Sequence, residues 1–284
     1  MTSLAPHFSE AFVDFLRFEQ RAFGDPPPIA AYDPYLIRYG EYSFILDAVA
    51  FHPGERVLDL GCEANIFMLY LASKGLRVTG IDVDPEVAAL VHERKLLTEQ
   101  RLDQRLDVVF ECRDATRLEL ESGAFDVVVA TSSIEHMFSP EGDGDSLAVE
   151  SIARVLKPDG VATITVPMSN GGAFHEAPNG DGQFAGPYRL YTPETLQARI
   201  ASHPALRCTS LAYLMQRTPD ERFPETYFSR FWAHDLSLEE RLRWAWANPI
   251  LASVFNPRVT ADEGERDLDA VNTALVCLRK VASD

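Results

Sequence analysis

Positive charge is scarce in this chain. Of 284 residues, 26 are Lys or Arg against 43 Asp or Glu, a formal net charge of -17. A surface with that balance repels a phosphate backbone instead of releasing its counterions, so nucleic acid is not an expected partner. Cysteine is sparse too. Cys62, Cys112, Cys208 and Cys277 form no CxxC pair, which argues against a zinc ribbon or a disulfide framework and fits reduced thiols in a cytoplasmic protein. No uncharged apolar run reaches bilayer-spanning length, and MTSLAPHFSEAFVDF has no basic region followed by an apolar one, so neither membrane insertion nor export is expected. His7, His52, His92, His203 and His234 lack ligand spacing, and no metal site is expected.

Apolar residues, by contrast, make up 46% of the chain, enough for one large core with a small appended unit. Phe12, Phe15, Leu16 and Phe23 recur at helical spacing until GDPPP ends the run, which reads as an N-terminal helical cap or lid over 1–37. A second apolar helix runs from Glu41 to Phe51, and a short buried strand follows from Arg56 to Leu60. From there helices near 65–74 and 85–100 alternate with strands at 77–81, 107–111 and 125–131. LAVESIARVL is a further helix, closed by Lys157-Pro158-Asp159-Gly160 with Gly160 in the left-handed place, and VATITVP is the next strand. Such alternation requires crossover connections, hence an α/β fold: a doubly wound, seven-stranded, mostly parallel sheet.

The stretch from Met168 to Pro187 has little periodicity and reads as a long functional loop, extending to about 190 and covering an acceptor pocket. Thr192 then caps the helix of TPETLQARI. Strands are expected at 206–214 and 270–280. Between them an aromatic, charged insertion at 222–268 carries Phe223, Tyr227, Phe228, Phe231, Trp232, Trp244 and Trp246 and is expected to cover the active edge of the sheet.

Ligands of open parallel sheets bind beyond the carboxyl ends of the strands, so the residues just after each strand are the ones to read. The first strand ends Val57-Leu58-Asp59-Leu60-Gly61-Cys62-Glu63, where Gly61 permits a tight turn beside a ligand. The second ends at Asp82, followed by Val83, about twenty residues on, the spacing at which an acid accepts ribose hydroxyls. The third ends at Arg113-Asp114-Ala115 and the fourth at Thr131-Ser132-Ser133-Ile134-Glu135-His136. Asp126, at the start of its strand, is left outside the site.

In this order, and with ARVLKPDGVATITVP after them, these segments resemble the class I S-adenosylmethionine-dependent methyltransferases over residues 38–168. The domain would then be 38–284, with its core motifs at 55–168. The resemblance implies S-adenosylmethionine as cofactor. Gly61 would lie at its methionine part, Asp82 with Val83 at the ribose, Asp114 with Ala115 at the adenine, and Thr131 and Ser132 at the end of the fourth strand. Asp59 would organise the loop. RYGEYSFIL resembles the stretch before the first strand in small-molecule and glycan methyltransferases, so Arg38 or Tyr42 is expected to reach the cofactor's carboxylate. His136 and His175 are the candidate bases toward an acceptor oxygen or nitrogen on a small molecule or glycan.

One departure stands out. The family loop reads GxGxG, but Glu63 and Asn65 replace its second and third glycines. Asn tolerates positive φ and can stand in for Gly. Glu63 brings a Cβ and a carboxylate toward the cofactor, where it could accept from the methionine ammonium. The same departure argues against a nicotinamide enzyme, whose pyrophosphate needs G-x-G-x-x-G. It also motivates an alternative, a degenerate fold acting as a binding or scaffold subunit.

Overall fold

Neighbouring residues on the central strands face opposite layers of helices, and this period of two sorts the apolar residues into two cores. Val57, Val127 and Val129 belong to one, Leu58, Leu60, Val128 and Ala130 to the other, all buried. The protein is described here by a computed structural model covering residues 9–23, 37–140, 143–169, 172–180, 186–215, 258–260 and 271–281.

In chain order the elements are α1 (Glu10–Phe23), α2 (Ile37–Ala48), β1 (Arg56–Leu60), α3 (Ile66–Ser73), β2 (Arg77–Asp82), α4 (Val87–Leu102), β3 (Val108–Cys112), β4 (Phe125–Thr131), α5 (Gly144–Val155) and β5 (Leu156–Pro167). A two-stranded hairpin of β6 (His175–Ala177) and β7 (Tyr188–Leu190) follows, then α6 (Pro193–Leu196), β8 (Leu206–Met215), β9 (Arg258–Thr260) and β10 (Val271–Lys280). The main sheet runs β3-β2-β1-β4-β5-β10-β8-β9. Strands β1 to β5 pair in parallel, and β10 lies antiparallel between β5 and β8. The seven expected strands are present, and the short β9, antiparallel to β8, adds an eighth. No described helix is long and apolar enough to cross a membrane.

Three expectations change. The KPDG segment does not end a helix in a free turn; it bulges within β5, where Phe125 pairs with Leu156 and Val127 next with Val161. The left-handed residue there is Asp159 at φ 62, whereas a Cβ on Gly160 would stand 2.9 Å from the Lys157 carbonyl oxygen and 3.0 Å from that of Asp126. Second, the aperiodic stretch after Met168 contains the β6–β7 hairpin, whose three-residue strands are too short to show alternation. Third, apart from β9, the aromatic insertion at 222–268 lies outside the described residues, as do Phe223, Tyr227, Phe228, Phe231 and Trp232.

The N-terminal helix is bound into the first core through rings. Phe15 meets Tyr42 of α2 at 5.4 Å and Phe67 and Tyr70 of α3 at 5.8 and 5.2 Å, all edge-on, while Tyr42 stacks on Phe67 at 4.5 Å. These geometries suit the ring quadrupoles and add to area burial. They also bury Tyr42, one of the two residues expected at the cofactor's carboxylate, in the aromatic core at 2% exposed. Phe15→Ala removes the central ring and is expected to cost about 3–5 kcal/mol, seen as a lower denaturation midpoint; an unchanged midpoint would show that α1 is not integral to the core.

Candidate active site

The strand order reverses direction between β1 and β4, and in doubly wound sheets the crevice for a ligand opens at such a point. Hydrogen bonds tie the ends of β1, β2 and β4 into one edge. The Glu63 amide donates to Asp82 Oδ2 at 3.2 Å, the Cys62 amide donates to the Ile81 carbonyl at 3.0 Å, and Arg38 Nη1 donates to the Thr131 carbonyl at 3.2 Å. Arg38, Asp59, Gly61, Glu63, Asp82, Thr131 and Ser132 are thereby brought together.

The loop after β1 keeps the backbone that glycines would give it, without the glycines. Gly61, Glu63 and Ala64 have φ of 64, 41 and 54. Each non-glycine residue in that region costs on the order of 1–3 kcal/mol, and a net of bonds offsets the strain. Besides the Glu63 amide, the Asn65 amide donates to Cys62 O at 2.8 Å, and the Arg94 guanidinium donates to the Ala64 carbonyl. Asn65 is thus not a glycine substitute. Its φ is -64, it caps α3 by accepting from the Met68 amide at 2.9 Å, and its Nδ2 donates to Asp59 Oδ2 at 2.8 Å. Gly61 makes the tight turn at φ 64, and it also serves packing: a Cβ there would lie 2.6 Å from that of Ser133, so the glycine lets β1 close on the turn after β4. The side chain of Glu63 is exposed.

Asp59 is 2% exposed, and its Oδ1 has no partner among the described residues. Burial pushes its carboxyl up to about 7, against the opposing bond from Asn65 and the charge of Arg38. Asp82 accepts from Glu63 and, through Oδ1, from the Asp84 amide at 3.1 Å, while Val83 beside it is 67% exposed. Asp114 is exposed and caps a single turn, with Oδ1 accepting from both the amide and the hydroxyl of Thr116. Ala115 is buried in the second core and presents no side chain to the edge. Asp126 accepts from the Arg56 amide and Lys157 Nζ at the opposite ends of the strands.

The sequence reading missed Glu41, which is fully buried. Its Oε2 pairs with Arg38 at 3.0 Å, and its Oε1 accepts from Ser132 Oγ at 2.5 Å and Thr165 Oγ1 at 2.6 Å. Ser132 has φ 41 and is held further by Thr165, whose carbonyl and hydroxyl both accept from its amide. Glu135, in the same turn as His136, is 3% exposed with Oε2 unpartnered among the described residues. Burial, aided by the charge of Glu41 and opposed by Arg38, lifts its carboxyl to about 8.

His136 Nδ1 lies 2.6 Å from the Pro187 carbonyl, which can only accept; that nitrogen therefore carries the proton, and Nε2, 3.9 Å from Glu135 Oε1, is the ring's proton acceptor. His175 Nε2 lies 3.1 Å from the hydroxyl of Tyr188, the residue after Pro187. The hairpin is pinned over this turn by Arg189, which is 2% exposed. It donates to Glu176 at 2.6 Å and to the Met137 carbonyl at 2.8 Å, and it stacks on Phe138 at 3.7 Å. Beneath it, burial pushes the Asp145 carboxyl up, but the bonds from Arg199 and Tyr191 and the charge of Arg189 outweigh that and hold it below the usual carboxylate range.

The strand order is that of a doubly wound sheet of the methyltransferase fold. A family model described as a methyltransferase domain matches residues 58–164. Among curated proteins, the ubiquinone biosynthesis O-methyltransferase of Burkholderia thailandensis is 29% identical over 161 residues, 56% of this chain and 62% of the relative. That of Coxiella burnetii is 27% identical over 137 residues, 48% of this chain and 51% of the relative. The alignments thus span less than two thirds of these relatives. A solved S-adenosylmethionine-dependent methyltransferase from Methanosarcina mazei has a TM-score of 0.56 at 14% identity, covering 85% of this chain and 99% of the other. The cyclase SpnF has a TM-score of 0.53 at 20% identity, covering 87% and 82%. At these identities the solved structures speak for the fold alone. Over residues 58–164 the chain is similar to the methyltransferase domain family, and its fold is that of the S-adenosylmethionine-dependent methyltransferases.

Asp59 and Glu135 both bind protons more tightly folded than unfolded, so their contribution to stability is complete below their ordinary values of 3.8 and 4.5 and is lost as pH rises through about 7 and about 8. The denaturant midpoint of the ligand-free protein is therefore expected to fall between roughly pH 4 and roughly pH 8, with Glu135→Gln making the fall shallower and ending it near pH 7. Identical profiles for the variant and the parent would show that Glu135 is ionised throughout.

Proposed function

We propose that this chain transfers the methyl group of S-adenosylmethionine to an oxygen of a small molecule. The observation that carries the reading is the gathering of Arg38, Asp59, Asp82 and Ser132 at the reversal point of the sheet, with a buried carboxylate oxygen of Asp59 left unpartnered among the described residues. Such an atom is costly unless a ligand donates to it. The donor set fits the cofactor, which has an ammonium, a carboxylate and two ribose hydroxyls. When bound, S-adenosylmethionine supplies a methyl group on a cationic sulfur, with a neutral thioether as leaving group.

In this reading Asp82 accepts from the ribose hydroxyls and exposed Val83 offers an apolar face beside them. Arg38 takes the carboxylate, Asp59 with Ser132 lines the amino-acid end, and the Asp114–Ala115 turn lies at the adenine. A carbonyl-held proton on His136 Nδ1 leaves Nε2 to receive a proton from an acceptor hydroxyl. His175, oriented by the Tyr188 hydroxyl, is the second base within the same hairpin and turn. Most of the acceleration would come from holding the acceptor and the methyl group in line. Methylation of oxygen is favoured by the O-methyltransferases that the chain resembles. No feature of the described residues favours a glycan.

Calorimetric titration with S-adenosylmethionine and S-adenosylhomocysteine tests this reading. Wild type is expected to bind both, and Asp82→Ala to weaken both by about tenfold or more, the loss of charge-assisted hydrogen bonds. Absence of binding to wild type would favour the scaffold alternative. Once an acceptor is found, His136→Ala is expected to lower turnover by about 10²–10⁴ with cofactor affinity unchanged; unaltered turnover would pass the role of base to His175.

A further inference from the structure

A fully buried carboxylate is tolerated only where its charge and lone pairs are all engaged. Glu41 meets that condition by joining three elements. It pairs with Arg38 on its own helix, accepts from Ser132 in the turn after β4, and accepts from Thr165 on β5. Arg38 reaches on to the Thr131 carbonyl, so the guanidinium is fixed from two sides on the same nitrogen. Ser132, in the left-handed region that a residue with a Cβ adopts only at a cost, is anchored by its side chain to Glu41 and by its amide to Thr165. Other acids share the field of this pair among the described residues. Glu135, at its own buried site, interacts with both Arg38 and Glu41, and Arg38 also acts on Asp59. These residues belong to α2, to the ends of β1 and β4 with the turn after β4, and to β5. Asp82 and Val83, at the end of β2, are held by Glu63 and Asp84 and have no bond to Glu41 among those described.

We propose that Glu41 is a positioning residue for the amino-acid end of S-adenosylmethionine, setting the Arg38 guanidinium and the Ser132 turn while leaving the nucleoside end to Asp82 and Val83. This rests on the methyltransferase reading. It has a signature that a general loss of stability would not produce: affinity must fall for ligands that carry the amino-acid end and stay for those that lack it. A side-chain amide at position 41 keeps the shape but offers one acceptor oxygen in place of two and no charge: with that oxygen on the two hydroxyls, an NH2 group faces Arg38 and the ion pair is lost, and with it on Arg38 both hydroxyls lose their acceptor.

The test is calorimetric titration of wild type, Glu41→Gln and Asp82→Ala with two probes, S-adenosylhomocysteine and 5′-methylthioadenosine, the latter lacking the amino-acid end. Glu41→Gln is expected to weaken S-adenosylhomocysteine by about tenfold or more and to leave methylthioadenosine within about twofold, whereas Asp82→Ala weakens both. If Glu41→Gln does not fold, Ser132→Ala serves instead: it removes one bond to Glu41, keeps the ion pair, and is expected to give the same selectivity at about threefold. Equal weakening of both probes, or no change in either, would overturn the assignment of Glu41 while leaving the methyltransferase reading in place. A wild type that binds neither probe would overturn both.

Discussion

Between β1 and β4 the chain changes the direction in which it lays down strands, and helices on either side leave toward opposite faces of the sheet. Backbone groups at the strand ends there lose their neighbours, so the molecule must either cover them or present them to a ligand. It does some of each. The Ser133 hydroxyl bonds the Leu60 carbonyl across the gap, bonds from Glu63 to Asp82 and from Arg38 to Thr131 tie the neighbouring elements to it, and Asp59 Oδ1 stays unpartnered among the described residues. Two cores of alternating strand residues hold the edge rigid from below, and the ring cluster around Phe15 extends one of them to the N-terminal helix.

Burial decides the electrostatics of this edge more than charge pairing does. Arg38 lies within reach of several acids, yet desolvation is the largest influence on Asp59 and Glu135 and carries both toward neutrality. Buried Glu41 accepts bonds from three side chains at once. A charge that must be solvated by protein groups fixes those groups in return, so the ion pair and the two hydroxyls form one rigid unit. The Asp145 cluster applies the same principle under the hairpin, where Arg199 and Tyr191 bond the carboxylate and buried Arg189 carries the hairpin over the turn that holds His136.

Left-handed backbone at Glu63 and Ala64 shows how a familiar loop shape survives an unfamiliar sequence. Glycine lowers the cost of that shape locally. Here neighbours bear the cost instead: the Asp82 carboxylate, the Arg94 guanidinium and the Asn65 cap each hold a group in or beside the loop. The loop is therefore coupled to β2, α3 and α4 more tightly than a glycine loop would need to be.

What the sequence determined by itself was local. Periods of two and of 3.6 residues located the strands and helices, Thr192 announced its capped helix, and Asp59 and Asp82 marked the ends of the first two strands. The β6–β7 hairpin escaped because three-residue strands carry no period, and KPDG misled because a bulge and a turn draw on the same residues. Tertiary structure alone decided which polar groups meet. Glu41 finds Ser132 at a separation of 91 residues and Thr165 at 124, and nothing near Glu41 in the chain signals either partner. The same holds for Asn65, whose role turned from glycine substitute to cap and Asp59 donor once the loop was folded, and for Gly61, whose missing Cβ makes room for Ser133. Local patterns reflect which face of an element is buried, and that is written at each residue; pairing across the sheet depends on where distant segments come to rest, and only the packed fold fixes it.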